Sequence, residues 1–339
     1  MRFSTSAFAP ACTSPNHCEA DPLHLYPDAS GGEAAVTRYR VFPGMELDYR
    51  DVHARVCREL RDGSGERLEI HHCLEGRVEY RQNGRYFYLS PGDLAVARTS
   101  SLPPDSRFPT GHYHGITVTI DPAAAPECLS CILSDVEVRP ATLMEKLCPG
   151  GTVFTARSSR RVKHVFSELY AVPEDIRKGY LKVKLLELLL FLSTLSPEDG
   201  QTPHGCTAAQ VSLAEQVKAR LLAEPDRTLT LKSLSQQFNV SEAQIKSSFT
   251  GVYGMSPAAY ARSQRMHGAA ALLRETDRTV LDIACQFGYD NASKFARAFR
   301  DVIGVSPREY RAGAEYDSCA PQLGEKPVSL SDADAKRRI

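Results

Sequence analysis

The chain has 339 residues, which exceeds one ordinary domain and predicts two or three domains. Its hydrophobic fraction of 42% and charged fraction of 24% are typical of a soluble globular protein. The most apolar stretch, Leu185–Leu195, is too short to span a bilayer, and no membrane partner is expected. The formal net charge is zero, and total charge therefore indicates no class of partner. Residues 206–313 nevertheless hold 14 Lys and Arg against 10 Asp and Glu. A modest excess of positive charge in one segment fits a domain that binds nucleic acid.

The ten cysteines are scattered over the whole chain and do not form the framework of a small secreted domain. No secretory leader is visible before Pro10, because no long apolar segment precedes it. We therefore expect reduced thiols and a cytoplasmic protein.

The N-terminal half has the pattern of many short strands. Residues 1–30 are rich in Ser, Pro, Ala and Asp and are predicted to be disordered. Within residues 31–155, a turn is predicted at Leu74-Glu75-Gly76, and Asn83-Gly84 predicts a tight hairpin. Such a pattern favours a small β-barrel or sandwich.

Helical periodicity replaces the strand pattern after the Pro- and Cys-rich segment 122–155. Apolar residues at helical spacing predict helices over 158–170 and 174–195, and residues 156–200 form a helical connector that is a candidate dimerisation region. Residues 314–339 are predicted to be a disordered tail.

The last third of the chain repeats itself at a spacing of 49–50 residues. Residues 230–240 align with residues 279–289, and both copies later carry Gly-x-Ser-Pro, at 254–257 and 304–307. One structural unit therefore occurs twice, and the helix predicted over Pro257–Leu273 joins the copies.

Each copy has the pattern of a helix-turn-helix unit. A short helix, Leu231–Phe238 or Val280–Phe287, precedes a turn at Asn239 or Gly288, two residue types that tolerate a left-handed backbone. Good N-cap residues then begin a second helix, whose apolar residues at i and i+4 anchor it and leave its opposite face free for a DNA groove. These caps and anchors are Ser241, Ile245 and Phe249 in the first copy, and Asp290 or Asn291, Phe295 and Phe299 in the second.

These residues resemble the AraC/XylS family of transcription regulators over about residues 208–312. The positions that carry the resemblance are Arg265, Met266, Ala269, Leu273, Ile283, Ala284, Phe287, Gly288, Tyr289, Phe295, Phe299 and Gly304–Pro307. The resemblance implies that both units, within a DNA-binding domain at 206–313, bind promoter DNA and usually activate transcription together with RNA polymerase.

By the same resemblance, the exposed faces of the two recognition helices are the candidate DNA-binding residues. They are Ala243, Gln244, Lys246 and Ser247 in the first helix, and Ser293, Lys294 and Arg297 in the second. Lys246 and Arg297 are the strongest candidates for guanine edges or phosphates. The first helix looks chemically weak for base recognition and is expected to contribute mainly phosphate and shape contacts.

The N-terminal half is similar to the cupin-type sensor barrel of such regulators, through residues 69–76 and 90–93. Tyr113-His114-Gly115-Ile116 with Ile120-Asp121 is similar to members grouped with regulators of siderophore uptake. The implied partner is a small-molecule effector in the barrel. Its candidate pocket residues are His71, His72, Tyr80, Tyr88, His112 and His114.

Other chemistries remain as alternatives. A cupin metalloenzyme would present His-x-His, but His71 and His72 are adjacent and face opposite sides of a strand, so we predict no metal site, cofactor or catalytic residue. Cys128-x-x-Cys131 has the spacing of a metal or thiol sensor but lacks a second pair. The cysteine-rich module of alkylation-repair relatives is absent.

The predicted architecture is a cupin-like β-barrel, a helical connector and an all-α domain with two helix-turn-helix units. The predicted function is an effector-controlled, non-enzymatic transcription activator, which a homodimer would help to place on DNA. The alternatives are a cupin metalloenzyme fused to a DNA-binding module and a ligand-independent DNA-binding regulator.

Overall fold

The computed structural model describes residues 20–24, 26–27, 32–58, 65–125, 138–200, 205–223 and 229–316. The strands are β1 Ala20–His24, β2 Tyr26–Pro27, β3 Glu33–Phe42, β4 Met45–His53, β5 Val56–Arg58, β6 Leu68–Gly76, β7 Val78–Gln82, β8 Arg85–Leu89, β9 Leu94–Arg98, β10 Asp105–Arg107, β11 Tyr113–Ile120 and β12 Phe154–Ala156. The helices are α1 Pro140–Leu147, α2 Arg160–Ser167, α3 Arg177–Thr194, α4 Ala208–Ala223, α5 Leu231–Phe238, α6 Glu242–Tyr253, α7 Pro257–Glu275, α8 Val280–Gln286, α9 Ala292–Ile303 and α10 Pro307–Tyr316.

The strands of the N-terminal half form three antiparallel sheets. The largest has seven strands in the order β1-β3-β4-β11-β6-β9-β12, beside a three-stranded sheet β10-β5-β2 and the hairpin β7–β8. The hairpin turns at Asn83 and Gly84, whose φ angles of 51° and 72° are those of the tight turn that the sequence predicts.

The two faces of the seven-stranded sheet bury different partners. On one face, apolar side chains such as Leu47, Ile70 and Val118 pack against residues of α1, α2 and α3. On the other, Val52, Cys73 and further residues pack against the β7–β8 hairpin and the loop at Phe108. Because side chains alternate along a strand, neighbouring residues of one strand serve two different cores.

The predicted cupin-like barrel is not confirmed. Within the described residues the three sheets do not close on themselves, and β1 and β12 form the two edges of the largest. The predicted turn at Leu74-Glu75-Gly76 is also wrong, because these residues continue β6. The chain leaves the large sheet at the end of β6, where Gly76 has a φ of 79°, and the next strand, β7, belongs to the hairpin.

The ends of the chain differ from the sequence expectation. Residues 20–24, inside the segment predicted to be disordered, form β1, because all five residues pair with β3. Helix α10 continues to Tyr316, three residues beyond the predicted domain end. Residues 1–19, the tail from 317 and the pair Cys128 and Cys131 lie outside the described residues.

The helices of the connector and of the last third follow the predicted periodicity. The predicted helix over 158–170 is α2 followed by a short 3-10 turn, and that over 174–195 is a 3-10 turn followed by α3. Pro257 and Pro307 begin α7 and α10, where a missing amide hydrogen costs nothing.

The chain divides into two compact units. The first contains residues 1–218 and 234–257, so α6 belongs to the same unit as the sheets. The second contains residues 219–233 and 258–339 and includes α8 and α9. The sequence analysis placed residues 206–313 in one DNA-binding domain, whereas residues 206–218 and 234–257 cluster with the sheets. In the described part of the chain, no helix is long and apolar enough to cross a membrane.

Candidate nucleic-acid interface and effector pocket

Helices α5 and α6 form the first helix-turn-helix unit. Asn239 has a φ of 52°, the left-handed conformation that the sequence predicts for the turn. The Ser241 hydroxyl then accepts a hydrogen bond of 3.2 Å from the backbone amide of Gln244, which fixes the beginning of α6. Gly254, with a φ of 76°, ends the helix.

Helices α8 and α9 repeat this design in the second unit. Thr279 and Asp282 form a capping box at the beginning of α8, and Gly288 forms the turn with a φ of 80°. The side chain of Asn291, one of the two predicted caps, accepts hydrogen bonds from the amides of Ser293 and Lys294. Gly304 ends α9 with a φ of 91°.

The predicted apolar anchors hold both recognition helices to their cores. Ile245 and Phe249 in α6, and Phe295 and Phe299 in α9, have no solvent-exposed surface. Their i, i+4 spacing buries one side of each helix and leaves the other side to solvent.

The seven predicted DNA-binding residues all lie on the exposed faces of the two helices. In α6 the positive charge on this face comes from Lys246, one turn after the exposed Glu242 and beside the small residues Ala243 and Ser247. In α9 the face carries Lys294 and Arg297, and also Arg300, which the sequence analysis missed although its i+3 spacing from Arg297 indicates the same face. The second helix thus offers more cationic donors to phosphates and guanine edges.

A pocket lies on the hairpin side of the large sheet. Its volume is about 350 Å³, part of which is open solvent. It is lined by Arg50, His71, Val78, Glu79, Tyr80, Leu102, Pro103, Ser106, Phe108 and Tyr113. The wall is largely apolar and aromatic, with a few polar groups that could orient a small ligand.

Ion pairs and hydrogen bonds fix the polar groups below the pocket. His71 lies between two partners, with Nε2 3.1 Å from Glu69 Oε2 and Nδ1 3.2 Å from Thr117 Oγ1. Arg50 lies 4.0 Å from the buried carboxylate of Asp48. The hydrogen bond with Thr117 therefore orients the imidazole, and the carboxylate of Asp48 attracts the guanidinium.

The six predicted effector residues do not form one site. His71 and Tyr80 line this pocket. His72 faces the helices, where its ring stacks on Phe166 at 4.1 Å, and burial lowers its pKa to about 4, so it is uncharged at neutral pH. Tyr88 donates a hydrogen bond to Glu79 and lies under the guanidinium of Arg77.

The other two histidines lie at one end of the large sheet. His112 precedes β11, and burial is the largest cause of its lowered pKa. His114 is the second residue of β11 and lies opposite Asp51 of β4. Neither residue is among those that line the pocket.

The β7–β8 hairpin contacts the first helix-turn-helix unit. Arg77 Nη2 donates a hydrogen bond of 3.2 Å to the carbonyl oxygen of Gly251 in α6, where a cation is favourable near a helix C-terminus. Tyr86 of β8 exchanges two backbone hydrogen bonds with Cys206.

A second contact in the same unit involves a buried lysine of α4. Lys218 Nζ donates a hydrogen bond of 3.0 Å to Pro109 O and lies 5.0 Å from the centre of the Tyr253 ring. Burial lowers the pKa of Lys218 to about 8. These contacts engage the C-terminal end of α6 and leave its exposed face uncovered.

Comparisons with known proteins find similarity to regulators that carry a helix-turn-helix domain. A helix-turn-helix domain family matches residues 234–313. An uncharacterised HTH-type transcriptional regulator of Escherichia coli, YdiP, is 35% identical over 275 residues, which cover 77% of this chain and 88% of that protein. The transcriptional regulator Rob of Salmonella typhimurium is 32% identical over 93 residues, which cover 27% of this chain and 32% of Rob. A crystal structure of a probable AraC family regulator from Rhodopseudomonas palustris is 31% identical with a TM-score of 0.29, covering 30% of this chain and 97% of that one.

Two capped and anchored helix-turn-helix units, each with an exposed second helix, define a DNA-binding transcriptional regulator. The match to YdiP spans both the sheets and the helical third of the chain. The chain belongs to the AraC/XylS family of transcriptional regulators.

Proposed function

We propose that this regulator is a transcription activator whose hold on promoter DNA is controlled by a small molecule bound in the pocket beside the β7–β8 hairpin. The observation that carries the proposal is that the β7–β8 hairpin lines the pocket and also packs against α6 of the first helix-turn-helix unit. Strand β7 supplies Val78, Glu79 and Tyr80 to the pocket, whereas β8 packs against α6.

This arrangement gives a physical route for control. A ligand that fits the pocket better in one position of the hairpin raises the population of that position. The hairpin in turn holds the C-terminal end of α6 through Arg77 and Gly251. A shift of the hairpin therefore alters the placement of the α6 face that carries Gln244 and Lys246.

The chemistry of the pocket limits the class of effector. The guanidinium of Arg50 favours a small molecule with an anionic or strongly accepting group, and the carboxylate of Glu79 in the same wall could accept a hydrogen bond from a donor group of the ligand. Tyr80, Phe108 and Tyr113 favour a flat apolar or aromatic body.

Replacing Arg297 by Ala is expected to weaken binding to a DNA fragment that the full chain selects from a random library. Loss of a bidentate guanine contact costs about 1–3 kcal/mol, a decrease in affinity of about 5- to 150-fold. The readout is fluorescence anisotropy at fixed salt concentration. Arg274→Ala is the matched control, because Arg274 is an exposed arginine of α7 and its loss changes the net charge equally. Equal effects of the two substitutions would exclude base recognition by Arg297.

Effector control is tested by filling the pocket. The low-molecular-weight fraction of an extract from the source bacterium is expected to change the affinity of the full chain for the selected DNA about fivefold or more. Leu102→Trp should abolish the change, because Leu102 lines the pocket and the larger ring occupies the ligand volume. Leu74→Trp, at a partly exposed leucine that does not line the pocket, should respond normally. An affinity of the unmodified chain that no extract alters would favour a ligand-independent regulator.

Contact with RNA polymerase and pairing of two chains through residues 156–200 remain predictions. Polymerase contact is expected of an activator, and a homodimer would place four recognition helices on DNA. A cupin metalloenzyme is the rival proposal, and it would require substrate turnover by the purified chain.

A further inference from the structure

Three side chains that take no part in the proposed function, Asp51, His53 and His114, converge at one end of the large sheet. Asp51 and His53 are two residues apart on β4 and therefore share one face of the strand. His114 lies on the neighbouring strand β11, directly opposite Asp51 in the antiparallel register. Residues that lie directly opposite each other on neighbouring strands have the closest side chains across a sheet.

Both imidazoles aim the same nitrogen at the same carboxylate oxygen. The Nε2 atom of His114 lies 2.7 Å from Asp51 Oδ1, and the Nε2 atom of His53 lies 3.0 Å from it. One ligand atom from each of the three residues falls within 4.8 Å of the other two. The rings of the two histidines meet edge to face with centroids 5.4 Å apart.

These short distances do not correspond to ordinary hydrogen bonds. Asp51 Oδ1 and His114 Nε2 are both shielded from solvent, yet neither has a hydrogen-bond partner among the described residues. Leaving such atoms unsatisfied costs about 1–3 kcal/mol for each atom. A cation that accepts electron pairs from both atoms would satisfy them together.

The separations suit two ligands of one ion. Ligand atoms about 2.1 Å from a transition metal ion lie about 3 Å apart when the angle between them is near 90°. Two imidazole nitrogens with one carboxylate oxygen are typical of zinc, iron, cobalt or nickel, whereas magnesium and calcium prefer oxygen ligands. Three ligands on one side of the ion leave positions for water.

A fourth residue supports the site from the other side of His114. Glu75 of β6 is the register partner of His114 there, and its Oε2 lies 3.5 Å from His114 Nδ1. Metal-bound imidazoles usually direct their second nitrogen to a carboxylate or carbonyl, which orients the ring. His53 is 41% exposed in its side chain, so the site is open to an ion from solution.

We propose that Asp51, His53 and His114 bind one divalent first-row transition metal ion, with Glu75 orienting His114. The site lies outside the effector pocket and does not depend on the proposed effector control. It departs from the sequence analysis, which predicted no metal site.

The test is a titration of the full chain with Co²⁺ after dialysis against a chelator. One equivalent should bind, with visible absorption of the bound ion and without a thiolate-to-cobalt band in the ultraviolet, and Zn²⁺ should displace it. A thiolate band would place the ion on cysteines and overturn the proposal, as would the absence of uptake.

Variants locate the site. His53→Ala and His114→Ala should abolish saturation at one equivalent, and Glu75→Gln should weaken binding about 10- to 100-fold. His164→Ala is the matched control, because His164 is an exposed histidine of α2 far along the chain from the cluster.

A second experiment uses Asp51→Asn, which keeps the shape of the side chain and guards against a folding defect. Zn²⁺ should raise the melting temperature of the unmodified chain but not that of Asp51→Asn. Binding by His53→Ala and His114→Ala that equals that of the unmodified chain would overturn the proposal.

Discussion

Replacing Phe299 by Ala is expected to lower the free energy of unfolding of the second compact unit by about 3–5 kcal/mol. Phe299 is fully buried in the cluster that anchors α9, with ring centroids 5.7 Å from Phe295 and 5.6 Å from Tyr310. Removal of its ring leaves a cavity between α9, α10 and the rest of the cluster. The recognition helix would lose the support that orients its exposed face.

Native-state hydrogen exchange of amides in residues 258–313 measures this loss within the full chain. Arg297→Ala is the control, because this exposed residue of the same helix should change the unfolding free energy by less than about 0.5 kcal/mol. Exchange that is equally fast in the two variants would contradict the anchoring role of Phe299.

Replacing Asp48 by Ala is expected to destabilise the first compact unit by about 3 kcal/mol. Asp48 is 1% exposed, and its two carboxylate oxygens each accept a hydrogen bond of 2.8 Å from the guanidinium of Arg38. The same carboxylate lies 4.0 Å from Arg50 in the pocket wall. Its removal leaves two cations in the sheet without their shared anion, and among the described residues Arg38 then retains the partly exposed carboxylate of Glu46 at 3.2 Å.

Urea denaturation followed by far-ultraviolet circular dichroism checks this expectation. Glu46→Ala removes a carboxylate from the same pair of strands, but Glu46 is partly exposed and should contribute less than about 1 kcal/mol. A loss of stability for Glu46→Ala as large as that for Asp48→Ala would refute the buried-pair argument.

The fold of the helical third was predictable from the sequence, because the features that determine it act between residues close together in the chain. A left-handed residue at Asn239 or Gly288, a cap at Ser241 or Asn291 and apolar anchors four residues apart each act within one or two turns of helix. The repetition of these features in register made the prediction specific, and the structure confirms the turns and caps.

In the N-terminal half, the sequence predicted only those features that depend on residues close together in the chain. Asn83-Gly84 specifies its hairpin turn without help from distant residues. Closure of a barrel depends on pairing between strands far apart in the chain, which no local pattern in this sequence determines. Likewise, β1 exists because it pairs with β3, and its own composition suggested disorder.

The cluster of Asp51, His53 and His114 was missed for the same reason. From the sequence, His114 was assigned with His112 to the effector pocket and not to a metal site. The partner that the structure gives to His114 comes from β4, more than sixty positions earlier in the chain. Asp51-Val52-His53 was the available signal, since its outer residues share one strand face.

The two recognition helices differ in what they offer to DNA. Helix α9 presents Lys294, Arg297 and Arg300, whereas α6 presents Lys246 beside Gln244 and small residues. We therefore expect α9 to supply most of the base specificity and α6 to supply phosphate contacts. The β7–β8 hairpin contacts α6, the helix that we expect to bind DNA more weakly. Control through the hairpin would therefore act on the weaker of the two DNA contacts.

Protection of guanines from methylation on the selected DNA tests whether both helix-turn-helix units bind the major groove. We expect two separate protected patches, one for each recognition helix. Lys246→Ala should weaken one patch and Arg297→Ala the other. A single protected patch, or two patches that both substitutions leave intact, would contradict binding of the major groove by both units.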